Sequence, residues 1–140
     1  MTNRLALGLL LAFSGSVLSC AKTPDQLPVY AVKGRVLYEG RPAAGAVVVL
    51  HSTDEAVQAC RPHGRVDANG DFELTTYRTG DGAPAAAYVV TVQWKRSEDH
   101  PEQGADLLPP GYGDPSTSKL TVTVIPGPNE PLVLQLTARF

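Results

Sequence analysis

Short runs of alternating apolar and polar residues cover most of the chain after residue 30. In the first of them Val32, Gly34 and Val36 alternate with the basic residues Lys33 and Arg35. A period of two residues is typical of a β-strand with one face buried and the other in water. Comparable apolar runs lie at residues 46–50, 72–74, 88–94, 120–124 and 132–136.

These runs predict an all-β domain. No window has a sustained helical period, and Gly and Pro, 13 and 12 residues, fall between the apolar runs, where turns are needed. Short amphipathic strands must bury their apolar faces against each other, so we predict an antiparallel β-sandwich of about seven strands. In the run 46–50 we expect Ala46, Val48 and Leu50 to point inward, since the opposite parity would bring His51 inward.

One turn has a clear sequence signature. Asp67-Ala68-Asn69-Gly70 is followed by an apolar alternation at Phe72 and Leu74. Asn-Gly suits the positive φ angles of a two-residue hairpin turn. We therefore predict a tight hairpin here, with Phe72 and Leu74 on one face.

The segment 96–118 is polar and then rich in proline, and it breaks the strand pattern. Connections this long are uncommon in compact domains and are often functional or disordered. We expect Leu107, Leu108 and Tyr112 to hold its second half against the end of the sandwich. The first half, from Ser97 to Gly104, is expected to be mobile surface.

The first twenty residues have the organisation of a secretory signal. Arg4 supplies a positive start, an apolar run follows at 5–13, and small or weakly apolar residues fill 14–19. Nine apolar residues at about 1.5 Å each are too short to cross a hydrocarbon core of about 30 Å. We therefore interpret 1–19 as a cleaved leader.

The end of this segment, Val17-Leu18-Ser19-Cys20, resembles the bacterial lipobox. That resemblance implies lipidation of the Cys20 thiol, cleavage before Cys20 and acylation of the new amine. The alternative is an ordinary signal peptide cut near Ser19, with Cys20 incidental. With lipidation, residues 20–29 form a lipid-anchored tether and 30–140 form the β-domain, so the protein is exported and anchored to a membrane of the cell envelope.

Charge and cysteine content narrow the choice of partners. The net charge is −2, and without the leader, which carries the basic Arg4, 11 basic residues stand against 14 acidic ones. This composition offers no attraction to the phosphates of nucleic acids, so we expect no nucleic-acid partner.

If Cys20 is lipidated, Cys60 has no intramolecular partner. We expect Cys60 to be buried or partly buried, with a free thiol as the alternative.

Several short motifs follow one another in a specific order along the chain. They are 32–36, Gly40 with Pro42, 45–48, 67–72, 80–84, 88–92, 112–115, 118–120 and 127–130. In these motifs and their order the chain resembles the carboxypeptidase-regulatory-like, transthyretin-like domains of small bacterial lipoproteins, over nearly the whole mature domain. The resemblance implies a seven-stranded Greek-key (prealbumin-like) sandwich that is usually non-catalytic.

Enzymes with related sandwiches do not fit this sequence. Transthyretin-like hydroxyisourate hydrolases end in Tyr-Arg-Gly-Ser, whereas this chain ends in Leu-Thr-Ala-Arg-Phe. Intradiol dioxygenases need two Tyr and two His on iron, and the three His residues here do not form such a set. Fold alone does not license an activity. We therefore predict that the protein is not an enzyme and has no catalytic residue.

Cation sites are also weakly supported. Asp67–Asp71 superficially resembles the start of a calcium loop, but its glycine stands at position 4 rather than 6, so we interpret the acidic residues as turn formers. Cys60 and His63 would need His51 or His100 to complete a zinc or copper site. We predict no metal site and no cofactor.

Aromatic side chains could stack against sugars if they were clustered outside. Tyr88 and Trp94 share parity with Val90 and Val92, which favours the core. Tyr77 and Tyr112, near loops, are better candidates for exposure.

The predicted function is a non-enzymatic, membrane-anchored structural or interaction module with an envelope protein or carbohydrate as a possible partner. The alternative is a carbohydrate- or small-ligand-binding sandwich that uses the 96–118 loop.

Overall fold

The computed structural model describes residues 25–95 and 104–140. Cys20, the leader and the start of the tether lie outside the described residues. Within them the chain forms ten strands, one helical turn and one 3₁₀ turn. They are β1 (Val29–Tyr30), β2 (Lys33–Tyr38), β3 (Arg41–Pro42), β4 (Val47–His51), α1 (Glu55–Gln58), β5 (His63–Arg65), β6 (Asp71–Glu73), β7 (Ala83–Pro84), β8 (Ala86–Gln93), the 3₁₀ turn Pro110–Tyr112, β9 (Thr121–Val124) and β10 (Leu132–Leu136).

The strands form three sheets. In sheet I, β2 is central, with β10 on one side and β6 and β3 on the other. Sheet II has the order β5-β4-β8-β9, and a small third sheet pairs β1 with β7. The all-β prediction is therefore confirmed for the described residues. Neither helical segment of the described residues has the length and hydropathy of a membrane span.

Both four-stranded sheets contribute to one buried core. Val36 and Leu134 of sheet I and Val48 and Val92 of sheet II belong to the same cluster of buried side chains. Val48 lies opposite Val92 in the β4–β8 ladder, so alternate residues of both strands face the same side. The predicted parity of β4 is confirmed, because Ala46, Val48 and Leu50 are fully buried.

The predicted count of about seven strands and their uniformly antiparallel pairing need correction. Three of the ten strands, β1, β3 and β7, have two residues each. β3 and β7 lie in segments whose glycine and proline residues indicated turns, so their sequences carry no strand alternation. In addition, β10 runs parallel to β2, with Leu134 opposite Val36. An amphipathic strand shows the same alternation with either partner orientation, so no sequence pattern indicated this parallel pairing.

The predicted hairpin is a turn between sheets. The Gly70 amide donates to the Asp67 carbonyl (3.1 Å) and the Asp67 amide donates to the Asp71 carbonyl (2.8 Å). However, the two flanking strands belong to different sheets. β5 pairs with β4 in sheet II, and β6 pairs with β2 in sheet I. Gly70 has a φ of +89°, whereas Asn69 does not adopt a positive φ. Phe72 and Leu74 are both buried, as predicted.

The second half of the long segment packs as expected. Leu108 and Tyr112 are buried, and the Leu107 amide donates to the Trp94 carbonyl at 2.8 Å. The Tyr112 hydroxyl accepts from the Thr137 amide at 3.0 Å. The prediction of mobility for Ser97 to Gly104 falls almost entirely on residues 96–103, outside the described residues.

Candidate functional site

A groove of about 1060 Å³ runs across the outer face of sheet I. Its position follows from the alternation in β2. Because Gly34 and Val36 are buried, the side chains of Lys33, Arg35 and Leu37 point to the other face and line the groove. This volume is at the upper end of the range of ligand pockets.

Two ion pairs cross the middle of the groove. The β2–β6 register places Lys33 opposite Glu73 and Arg35 opposite Asp71. Lys33 Nζ lies 2.9 Å from Glu73 Oε1. Arg35 donates from Nε to Asp71 Oδ1 at 2.7 Å and from Nη2 to Oδ2 at 3.2 Å. This hydrogen bond from Arg35 lowers the pKa of Asp71, so the carboxylate stays ionised well below neutral pH.

Two glycines allow the strands beneath the groove to approach each other closely. A Cβ at Gly34 would overlap the Phe72 ring and the Leu132 carbonyl, and a Cβ at Gly64 would meet the Glu73 carbonyl. Phe72 is 3% exposed. The ring therefore belongs to the core, and the groove is lined mainly by the outward side chains of the strands.

The two sides of the groove differ in chemistry. Leu37, Pro131 and Val133 line the side at β10, and we call them the apolar side. Val133 is 55% exposed. His63 and Arg65 of β5 line the opposite side, which we call the basic side. Both basic-side residues are exposed.

One basic and one acidic side chain of the groove have no ion pair among the described residues. Lys33 and Arg35 have carboxylate partners, and Asp67 Oδ1 accepts from the amides of Asn69 (2.8 Å) and Asp71 (2.9 Å). Arg65 has no ion pair among the described residues. Asp67 likewise has no cation within ion-pair distance there, so the basic and acidic side chains of the groove balance in number.

The loop that closes one end of the groove is organised by Asp81. Its carboxylate accepts from the amides of Thr76 (2.7 Å), Tyr77 (3.0 Å) and Arg78 (2.8 Å). Burial of the carboxyl acts in the opposite direction, but these hydrogen bonds prevail and lower the pKa of Asp81. The loop places Thr79 and Gly80 at the end of the groove.

A smaller cavity of about 260 Å³ lies by the long segment. His51, Arg61 and Pro115 are among its lining residues. His51 Nε2 is 2.9 Å from Thr91 Oγ1. Burial and the positive charge of Arg61 lower the pKa of His51. Pro115 is the contribution of the 96–118 segment to this cavity, and the large groove has no lining residue from the described part of that segment.

Cys60 and His63, which were considered for a metal site, have different neighbours in the structure. Cys60 is partly buried, and its Sγ lies 3.4 Å from Tyr77 Oη. His63 Nδ1 lies 3.3 Å from the Arg61 carbonyl, and its ring is at the groove. Within 25–95 and 104–140, no three His, Cys, Asp or Glu side chains are grouped to hold a metal ion. His100 lies outside those ranges.

The aromatic predictions have mixed outcomes. Tyr88 is buried at 3% exposure and Tyr77 is 36% exposed, as predicted. Trp94 is half-buried and donates from Nε1 to the Ala44 carbonyl at 2.8 Å. Of the two expectations for Tyr112, packing against the sandwich is correct and exposure is wrong: it is 6% exposed, and its ring packs edge-on against Phe140.

The groove was missed in the sequence analysis, although one signal was present. Lys33 and Arg35 carry one charge sign at a spacing of two, and Asp71 and Glu73 carry the other. Opposite charges at matching strand positions indicate cross-strand pairing on an outer face. The concave shape of the groove depends on the close approach of β5 and β6, and no pattern in the sequence predicts that approach.

Comparisons with known proteins identify no relative: no protein-family model, curated protein or solved structure matches the chain.

Proposed function

We propose that this protein is a non-enzymatic, lipid-anchored module of the bacterial cell envelope that binds a partner in the groove on sheet I. The observation that carries the proposal is the groove itself. It combines an exposed apolar side, a basic side and two ion pairs in one concave surface. A concave, partly apolar surface with convergent polar groups is typical of binding sites.

The start of the described chain supports a short connection to a membrane. The Leu27 amide donates to Tyr77 Oη at 3.1 Å, and β1 then pairs with β7. Leu27 is thus fixed to the domain. Leu27 stands seven positions after Cys20, which corresponds to about 23 Å when fully extended. A lipid on Cys20 would hold the domain close to the bilayer surface.

The carboxylates of the groove support binding rather than catalysis. Asp71 and Glu73 each have a basic partner, and the lowered pKa of Asp71 makes it a poor proton donor near neutral pH. Such groups are suited to accept and orient hydrogen bonds.

For the fold family, we propose a variant of the transthyretin-like Greek-key sandwich. Two four-stranded sheets that share one buried cluster support it. The motif order described above gives independent support.

A second candidate is binding of a small ligand beneath the long segment. The observation that favours it is the 260 Å³ cavity, where Pro115 stands near His51 and Arg61. A ligand bound in this cavity would change the NMR chemical shifts of His51 and leave those of Arg65 unchanged. Ligand-induced shifts confined to Arg65 would count against this candidate.

The proposed function is tested on the tagged, full-length protein in envelope preparations after reversible cross-linking. We expect wild type to recover a partner and Val133→Asp to lose most of it, because the aspartate places a charge on the apolar side. Ile125→Asp is the matched control, since Ile125 is 51% exposed and does not line the groove. Equal recovery by all three proteins would contradict groove binding.

The anchor is tested separately by Cys20→Ala. We expect this variant to leave the membrane fraction, because the lipid has no other thiol at the lipobox. Membrane retention equal to that of wild type would contradict lipidation of Cys20.

A further inference from the structure

We propose that the cavity of about 260 Å³ beside the long segment binds a small oxyanion, held by Arg61 and His51. This inference goes beyond partner binding in the groove on sheet I. It rests on the second candidate function and names the class of ligand that the cavity would take. The cavity and the groove share no lining residue, so a ligand in one leaves the other free.

The cavity lies on the outer face of sheet II. Because Leu50 faces the core, His51, the next residue of β4, points to the outer face. Val89 lies opposite His51 in the β4–β8 ladder, and both line the cavity together with Pro115 of the long segment. The remaining lining residues belong to α1 and its flanking turns. The volume is below the usual range of pockets for drug-sized ligands, so the cavity suits a small one.

The charge of the lining is one-sided. Among the described residues that line the cavity, Arg61 is charged and none is Asp or Glu, whereas basic and acidic side chains balance in the groove on sheet I. The Asp54 carboxylate caps α1 by accepting from the Ala56 amide at 3.0 Å. Asp114 accepts from the Ser116 amide at 2.8 Å and from its hydroxyl at 2.7 Å. Neither carboxylate forms an ion pair with Arg61, so an anionic ligand would supply the missing negative charge.

The second basic group of the cavity is influenced by the first. Burial of the ring and the positive charge of Arg61 lower the pKa of His51. The ring has a fixed partner, because His51 Nε2 lies 2.9 Å from Thr91 Oγ1 and Thr91 is 4% exposed. An anion bound beside both basic groups would offset their repulsion and raise the pKa of His51. By linkage, protonated His51 would bind the anion more tightly than neutral His51 does.

The backbone of Arg61 has a conformation that favours glycine. Its φ is +41°, and the turn is fixed by the Leu50 amide, which donates to the Pro62 carbonyl at 2.8 Å. Glu39 is the other described non-glycine residue with a positive φ, and its carboxylate accepts from the Ala138 amide at 2.6 Å. Arg61 has no corresponding ion pair within the described part of the chain. Backbone strain of this kind is frequent at ligand sites, which is consistent with a guanidinium that serves a ligand.

The polar lining favours an oxyanion over other small ligands. Thr53 and Gln58 add a hydroxyl and an amide donor to the planar donor group of Arg61. A guanidinium and neighbouring donors match the oxygens of a carboxylate, sulfate or phosphate group. A cation would be repelled by Arg61 and would meet no carboxylate in the lining. A neutral ligand would leave the charge of Arg61 without a partner.

The test is an NMR titration of the full-length protein in detergent with sodium sulfate and, separately, with sodium acetate, at constant ionic strength. We expect saturable changes in the chemical shifts of His51 and a rise in its pKa, with His63 at the groove unchanged. Affinity should fall about tenfold or more for Arg61→Gln. Arg41→Gln, at an exposed position outside the cavity, is the matched control and should stay within about twofold of wild type.

Two further variants separate binding from folding. Arg61→Gly should lose binding while its thermal stability equals or exceeds that of wild type, because glycine adopts a positive φ without strain. Sulfate keeps its charge throughout the pH range in which histidine titrates, so wild type should bind sulfate more tightly as the pH falls through the pKa of His51. This pH dependence should disappear in His51→Gln.

The two salts also distinguish the sources of the anion. Saturation by sulfate alone indicates a sulfate- or phosphate-type ligand, and saturation by acetate indicates a carboxylate. Changes at His51 that do not saturate, or that Arg61→Gln leaves unaltered, overturn the oxyanion inference. If a neutral fragment shifts the His51 signals where neither anion does, the second candidate function stands and the class of ligand is wrong. If neither kind of compound shifts them, both fail.

Discussion

At the scale of single residues, the conformation of the chain depends on a few positions where a side chain has no room. Gly82 is the clearest example. Its φ is +101°, and a Cβ there would overlap the Tyr30 carbonyl. The Gly82 amide donates to the Leu74 carbonyl at 2.9 Å. This glycine therefore allows the start of the domain to pack against the loop that leads into β7.

We expect Gly82→Ala to destabilise the fold much more than Gly127→Ala. Gly127 has nearly the same φ, +99°, but nothing lies within 4 Å of its Cβ position. Gly127→Ala should therefore cost about 1–2 kcal/mol for backbone strain alone, whereas Gly82→Ala adds a backbone overlap. Urea unfolding of both variants measures the difference. Equal losses of stability would show that the close approach to Tyr30 is unimportant.

At the scale of elements, strand faces were predictable and strand partners were not. Alternation in β4 correctly placed Val48 and Leu50 inward, because one buried face leaves a period of two in the sequence. The turn at Asp67–Gly70 was also identified. Its flanking strands nevertheless join different sheets. The partner of a strand depends on segments far away in the sequence, so no local pattern indicates it.

The loop at 75–82 provides a pH-dependent test at the same scale. Its three amide bonds to Asp81 lower the pKa of this carboxyl, despite burial. A group whose pKa is lower in the folded state stabilises the fold above its unfolded pKa, and the contribution is lost as the pH falls through the folded value. Stabilisation by ionised Asp81 is therefore full at pH 7 and declines below about pH 4.

Asp81→Asn should cost about 1 kcal/mol at pH 7, allowing for solvent exposure. The difference between variant and wild type should be smaller at pH 3 than at pH 7, because the contribution of the ionised carboxylate falls off below the unfolded pKa. Denaturant unfolding at the two pH values measures it, with Glu130→Gln, at an exposed position, as the control. A difference that is independent of pH would show that the charge of Asp81 does not support the loop.

At the scale of the whole molecule, the groove arises from the way the two sheets join. His63 and Thr75 form a bridge between the β5 and β6 segments, and Gly64 packs against the Glu73 backbone. This junction brings Arg65 to the same surface as Lys33 and Arg35. The individual charges can be read from the sequence, but their convergence depends on contacts between residues far apart in the chain.

The central claim is that an envelope partner occupies this surface while Cys20 anchors the protein. Its most direct measurement is cross-linking in cells with a photoreactive amino acid at Val133, compared with the same group at Ile125. We expect a discrete adduct from position 133, little from position 125, and loss of the adduct when Cys20→Ala is combined with the probe. Equal labelling at both positions, or no adduct at position 133, would contradict the claim.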